Sequence, residues 1–250
     1  MCRVPEDRLG VRPRGATPSR RWWFAAVVLL LGAQASAAEG QLQAGPTLLE
    51  LRGEAGATRL TLSNPGETAV AAQIRVYRWL QIGGDDHLVE TEAIGVSPPI
   101  AQIPPGGEQL VRLVRLGGVP DSADVPYRVV VEELPPPGPA ASGRVEMRMR
   151  YVIPFFDRWS ASVPPELSCR WELGGSVLEC ANRGEQPAQL GATHLVDAEG
   201  GRRVLSEGLF GYVLPASTRE WAIDPLPEPR PTLLATRVNG RPLTVPVGGG

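Results

Sequence analysis

The sequence contains no lysine, only two histidines and three cysteines, and no long stretch with helical periodicity. All 25 basic residues are arginine, so any cationic site must be a guanidinium, which favours forked binding of a carboxylate. Two lone histidines without clustered carboxylates or cysteines exclude a zinc site. His87 follows Gly83-Gly84-Asp85-Asp86 and reads as part of a solvated loop; His194 lies in Thr193-His194-Leu195-Val196 and reads as a strand-surface residue. Asp85-Asp86 reads as a solvated turn rather than a cation site. There is no Gly-x-Ser-x-Gly, no Walker loop and no dinucleotide fingerprint. The glycine-rich pieces flank strands rather than helices, so they do not cradle phosphates. No enzyme chemistry, no metal and no cofactor is expected.

Apolar runs are short. Arg20 and Arg21 precede Trp22-Trp23-Phe24 and the run to Leu31, and Ala35-Ser36-Ala37 follows. A basic flank, a short apolar core and a small-x-small exit mark a secretory signal peptide over residues 1–38. The run is too short for a spanning helix, which needs about 20 apolar residues, so no membrane insertion is expected after cleavage. Cleavage after Ala37 and after Ala38 fit equally well. Loss of this segment removes six arginines and two acids, leaving 19 basic and 25 acidic residues and a net charge of −6. An acidic mature chain excludes nucleic acid as the natural partner, since phosphate binding needs a basic surface. Cys2 goes with the signal, which leaves Cys169 and Cys180 in an exported chain and points to one disulfide.

The 29 glycines and 26 prolines punctuate short alternating runs, the pattern of an all-β protein. Strands are expected near Thr47–Leu51, Thr58–Ser63, Val70–Leu80, Gln109–Leu116, Tyr127–Leu134 and Arg144–Phe156. Asn64-Pro65-Gly66-Glu67 is a strong turn. Pro135-Pro136-Pro137-Gly138-Pro139 cannot be strand, because proline donates nothing to a ladder. These divisions predict two domains after the signal, residues 39–157 and 158–250. In the second, Leu173-Gly174-Gly175-Ser176 reads as a two-residue hairpin turn. Its register sets Trp171 opposite Leu178, Arg170 opposite Glu179 and Cys169 opposite Cys180. A bulge or a longer loop would relieve the strain of a cysteine pair on a hydrogen-bonded site.

One strand stands out as a binding surface. Val145, Met147 and Met149 alternate with Glu146, Arg148 and Arg150, giving one apolar and one charged face. An ordinary core-facing strand has the same pattern. Methionine, however, is common at surfaces that accept varied partners, and the flanking prolines place this strand near a sheet edge. An exported edge strand with an apolar face can accept a strand from another chain.

At this point the sequence resembles the periplasmic chaperones of the chaperone–usher pilus pathway. The resemblance is carried by Pro46-Thr47-Leu48-Leu49-Glu50-Leu51, by Ser97-Pro98-Pro99 with Ile103-Pro104-Pro105-Gly106 and Val111-Arg112-Leu113, by Tyr127 to Pro135, and by Arg150-Tyr151-Val152-Ile153-Pro154-Phe155-Phe156. Gly211-Tyr212-Val213-Leu214-Pro215 with Thr218-Arg219-Glu220-Trp221 resembles the archaic branch. The resemblance implies two immunoglobulin-like β-sandwich domains set at an angle with a cleft between them, a periplasmic location, a pilus subunit as partner and an outer-membrane usher as recipient. It implies that Val145, Met147 and Met149 insert into the groove of a subunit lacking its final strand, a mode known as donor-strand complementation. It also implies a cleft anchor for the subunit's terminal carboxylate, with Arg150 the best match and Arg148 the second. The family's other cation lies on the first strand, where this chain has Leu48. Whether the free chaperone caps itself as a dimer stays open. The competing reading is a structural or adhesive β-sandwich component of a pilus; the near-immediate entry from Gly40 into a strand disfavours it.

Overall fold

The structure is a computed structural model and describes residues 41–136, 147–158, 162–224 and 230–249. Among them there is no α-helix, only strands and one 3-10 turn. The signal-peptide segment, Val145 and most of the proline-rich loop lie outside the described residues.

The first half of the chain forms two sheets. One takes β1 (Gln43–Gly45), β3 (Ala57–Ser63), β8 (Glu108–Arg115) and β6 (Ile94–Ser97), in that spatial order. The other takes β2 (Leu49–Arg52), β10 (Arg150–Arg158), β9 (Val125–Glu133), β4 (Val70–Ile82) and β5 (Asp85–Glu90), with β7 (Ile100–Ile103) also on β4. Strand alternation sends every second side chain inward. Leu60, Leu62, Val111 and Leu113 from the first sheet meet Leu49, Leu51, Ile74, Val129, Val131, Ile153 and Phe155 from the second in one core. This settles the orientation of β8: the face with Leu110 and Arg112 points outward.

The second half is one seven-stranded sheet wrapped around its own core, in the order β14 (Arg202–Val213), β13 (Ala188–Val196), β16 (Leu233–Val238), β17 (Arg241–Gly248), β11 (Leu167–Glu172), β12 (Val177–Asn182) and β15 (Ser217–Ala222). Trp171, Leu178, Leu190, Leu195 and Leu234 fill it. The architecture is all-β, built as two immunoglobulin-like sandwich domains.

The same device closes a turn in each domain. Asn64 is 1 % exposed; its carbonyl oxygen accepts from the Gly66 N–H at 3.1 Å, and its amide donates to Thr68 O at 2.8 Å. Asn182 repeats this with Gly184 N–H at 3.0 Å and Gln186 O at 2.8 Å. Each asparagine satisfies loop backbone groups that would otherwise be buried unpaired.

Three expectations need adjustment. The β11–β12 register matches the sequence, with Cys169 opposite Cys180 and a Cys169–Cys180 disulfide of 2.02 Å. Its connection is longer than a two-residue turn, because pairing closes at Glu172–Val177 and a 3-10 turn, Leu173–Gly175, followed by Ser176 lies between. Gly174 and Gly175 take left-handed φ values of 67° and 87°, which only glycine adopts freely. His87 is in a strand, not a loop: the chain needs only Gly83-Gly84 to reverse, and β5 begins at Asp85. Of the expected strand Arg144–Phe156, β10 begins at Arg150 and Met147 to Met149 precede it without regular pairing, while residues 144–146 lie outside the described residues.

Candidate functional site

Two features of β10 make it different from an interior strand. On one side it pairs with β9 along Arg150–Asp157. On the other it pairs with β2 only from Phe155 onward, in parallel. Among the described residues, the edge of β10 from Arg150 to Pro154 therefore has no strand against it. The segment before it continues this edge: Glu133 N donates to Met149 O at 3.0 Å, and Met149 N donates to the Glu133 carboxylate at 3.1 Å.

Apolar side chains crowd this open edge. Met147 is 81 % exposed, Met149 42 % and Val152 41 %. Met147 and Met149 share parity with Tyr151, Ile153 and Phe155, which enter or border the core. They thus extend the inner layer of the sandwich past its own last inward residues. Tyr151 sits at the junction, its hydroxyl donating to Leu42 O at 2.6 Å. Of the apolar trio expected from the sequence, two members are placed here together; Val145 is outside the described residues.

The residues of opposite parity line the other face of the sheet. Cross-strand registry arranges them in rows. Arg150 faces Glu132 and Glu132 faces Gln73; Val152 faces Val130 and Val130 faces Arg75. Pro154 faces Arg128, Arg128 faces Tyr77, and Tyr77 faces Glu90. Leu48, 38 % exposed, immediately precedes the Leu49–Phe155 pair at the same end.

The charges on this wall are unevenly partnered. Arg150 Nε stands 3.0 Å from Glu132 Oε1, and Arg75 pairs with the same carboxylate. The hydrogen bond from Arg75, aided by Arg150, holds the Glu132 carboxyl below its ordinary value. Arg148 is exposed just before β10. Arg128 differs from all of these. Its guanidinium carbon lies 3.5 Å from the centroid of Trp79 and 5.5 Å from that of Tyr212. Burial pushes its pKa down, against the pull of Asp86. Sequence reading passed over Arg128. The available signal was a lone arginine in the apolar run Tyr127-Arg128-Val129-Val130-Val131.

The floor of the wall is made with the second domain. Trp79 and Phe156 pack against Tyr212 and Leu214, with the Trp79 and Tyr212 rings edge to face at 5.3 Å. Gln81 reaches across, its amide donating to Tyr212 O at 2.8 Å and accepting from Leu214 N at 2.9 Å. Among the described residues no cluster of three or more His, Cys, Asp or Glu could hold a metal ion. The arrangement offers an open strand edge, an apolar ledge and guanidinium groups, which suits a polypeptide ligand.

Comparison with known proteins agrees with this geometry. Residues 41–161 match the family of pili and flagellar-assembly chaperones, PapD N-terminal domain. None of the curated proteins matches the chain significantly. Among solved structures, the CsuC–CsuE chaperone–tip adhesion subunit pre-assembly complex from archaic chaperone–usher Csu pili of Acinetobacter baumannii matches at 27 % identity. That match covers 84 % of this chain and 99 % of that one, with a TM-score of 0.67. The CupB2 chaperone of Pseudomonas aeruginosa matches at 20 % identity, covering 81 % of this chain and 97 % of that one, with a TM-score of 0.56. The Salmonella enterica SafA pilin–SafB chaperone complex matches at 18 % identity, covering 82 % and 94 %, with a TM-score of 0.58. With the fold, the open β10 edge and these similarities together, the chain belongs to the pilus-assembly chaperones of the chaperone–usher pathway.

Proposed function

We propose that this chaperone, a binding protein and not an enzyme, holds a pilus subunit by donating the strand around Met147 and Met149 to it in the periplasm, and then passes the subunit to an outer-membrane usher. The observation that carries the reading is the unpaired edge of β10 ahead of Phe155, with Met147, Met149 and Val152 exposed along it. A chain that pairs there gains main-chain hydrogen bonds from the edge and burial from the side chains. Each apolar side chain buried contributes about 1.5–3 kcal/mol. Val145, next in the alternation, would be the third inserted side chain. Arg150, with Arg148 beside it, would hold the subunit's terminal carboxylate through charge-assisted hydrogen bonds. No nucleotide, metal or cofactor has a part in this reading.

The test is capture in the native host. The mature protein, tagged at its C terminus, is purified from the periplasm and its partners are identified by mass spectrometry, beside a Met147→Arg variant. A small exported β-rich subunit should accompany the parent and be lost from the variant. Recovery of no such subunit, or equal recovery by both forms, would sink strand donation for this chain.

A further inference from the structure

The hold of β9 on the segment ahead of β10 has a last rung, and a proline sets it. Glu133 N donates to Met149 O at 3.0 Å. Main-chain groups along a strand turn to alternate sides. Met149, Tyr151 and Ile153 therefore bond toward β9, while Arg150 and Val152 turn theirs to the open edge. The β9–β10 register has Arg150 opposite Glu132, and carried back beyond β10 it sets Met147 opposite Pro135. Proline has no N–H to give. Leu134, between Glu133 and Pro135, faces the other way and donates to Ala71 O at 2.8 Å. Met149 is thus the last residue of the segment that a main-chain N–H following β9 can hold.

At that rung one bond is out of the ordinary. Two residues opposed in a hydrogen-bonded antiparallel pair exchange both N–H···O bonds. Here only one of them joins main chain to main chain. Met149 N donates to the carboxylate of the half-buried Glu133, at 3.1 Å, in place of its carbonyl. A side chain standing in for a carbonyl keeps the N–H satisfied while the segment turns out of the ladder. Met147, two residues earlier, is then 81 % exposed. The neighbouring acid has another task, since Glu132 is engaged by Arg75 and Arg150. A carboxylate that accepts from a main-chain N–H makes a charge-assisted bond, stronger than the neutral one it replaces. A segment ordered before its partner arrives loses less freedom on binding.

We propose that Glu133 is a positioning residue for the donated strand. Its carboxylate, by holding the Met149 N–H, fixes the point at which the segment leaves the chaperone's own sheet and orders Met149, with Met147 beyond it, before a subunit binds. The proposal rests on strand donation and deepens it.

The experiment uses the full mature chain and the subunit that co-purifies with it. Hydrogen exchange at the Met149 amide is followed by NMR in the free chaperone. Subunit recovery is compared for the parent, Glu133→Ala, Glu133→Gln and Met147→Arg. Glu133→Ala should speed Met149 exchange and lower capture, each by about 5- to 30-fold, the cost of fixing one residue's backbone. Glu133→Gln keeps an acceptor oxygen at the same reach and should restore most of both. Unchanged exchange or unchanged capture in Glu133→Ala overturns the proposal. Capture lost while Met149 stays protected overturns it too, since Glu133 would then be touching the subunit itself. A Glu133→Gln variant as poor as Glu133→Ala is equally fatal. Thermal unfolding of each variant shows whether it is folded. Should Glu133→Ala fail to fold, Glu133→Asp, one methylene too short for the contact, takes its place with the same outcomes. Loss with Met147→Arg alone leaves strand donation standing and removes only Glu133; no capture by the parent removes both.

Discussion

Single residues hold the first sandwich where two strands leave it. Arg115 reaches from β8 to Asp157 on β10, with Nε 2.7 Å from Oδ2, and the two side chains are 6 % and 3 % exposed. Replacing Asp157 by Ala strands a guanidinium in the interior. That should cost about 3–5 kcal/mol, read as a lower midpoint in urea unfolding; a loss below about 1 kcal/mol, the range for an exposed pair, would mean that water reaches Arg115. Beside it, Arg158 bridges Asp124 at 2.5 Å and Glu50 at 2.6 Å. Burial alone would raise the Glu50 pKa, but hydrogen bonds from Arg158 and Arg52 outweigh it and the net direction is down. A carboxyl depressed in the folded state adds stability above its unfolded value, near pH 4. That increment is lost as pH falls through the lower, folded value. Stability measured against pH should therefore fall through the acid range, and Glu50→Gln should flatten part of that slope; an unchanged slope would show that Glu50 is not the group responsible. None of the pairs that join two strands or a strand and a loop was legible in the sequence, because residues 34 or more positions apart are matched only by strand order. The cysteine pair was legible because a local hairpin fixes its own register.

At the scale of elements, β4 shows how a strand serves two domains. It runs for 13 residues, and its far end, Trp79 to Gln81, leaves the first core to meet Tyr212 and Leu214. The hairpin tip continues the contact, with Glu220 N donating to Gly84 O at 3.0 Å. Gly84 has φ 80°, and a Cβ there would lie 2.6 Å from the Glu220 side chain, so the contact requires glycine on both counts. The Gln81 amide acts as a piece of sheet edge, satisfying one carbonyl and one N–H of the second domain. Gln81→Leu leaves both unpaired at the seam and should cost about 1–3 kcal/mol of domain docking. Calorimetry would show it as one transition splitting into two; a single transition at the parent temperature would argue against the clamp. The strands of β4 and β9 were legible from alternation, since both have apolar side chains at every second position. The seam was not, because Gln81 and Tyr212 are ordinary residues until the two domains are placed together. The same limit hid Arg128, whose partners Trp79 and Tyr212 lie in different strands and different domains.

For the whole molecule, composition carried the larger conclusions. Sparse histidine, no lysine and regularly spaced turns led to an all-β binding protein, and the family similarity agrees. The exact extent of β10 did not follow from composition, because Arg144–Phe156 is uniformly strand-like while only part of it is paired. That mismatch has a consequence for the free protein. An apolar, unpaired strand edge is an association site, and here Met147, Met149 and Val152 present one when no subunit is bound. Two copies can cover their edges against each other, and under the proposed strand donation a subunit would compete for the same surface. The net negative charge of the chain opposes nonspecific clustering, whereas the exposed edge is a local apolar feature. The free chaperone should therefore self-associate reversibly as concentration rises, and Met147→Arg should remain a monomer over the same range. Light scattering coupled to size exclusion separates the cases. A parent monomeric at every concentration would show that the edge is not sticky enough to pair with itself, while a dimer untouched by Met147→Arg would place the self-contact on another face. A dimer that dissolves on adding captured subunit would tie self-association to the strand edge proposed for the subunit.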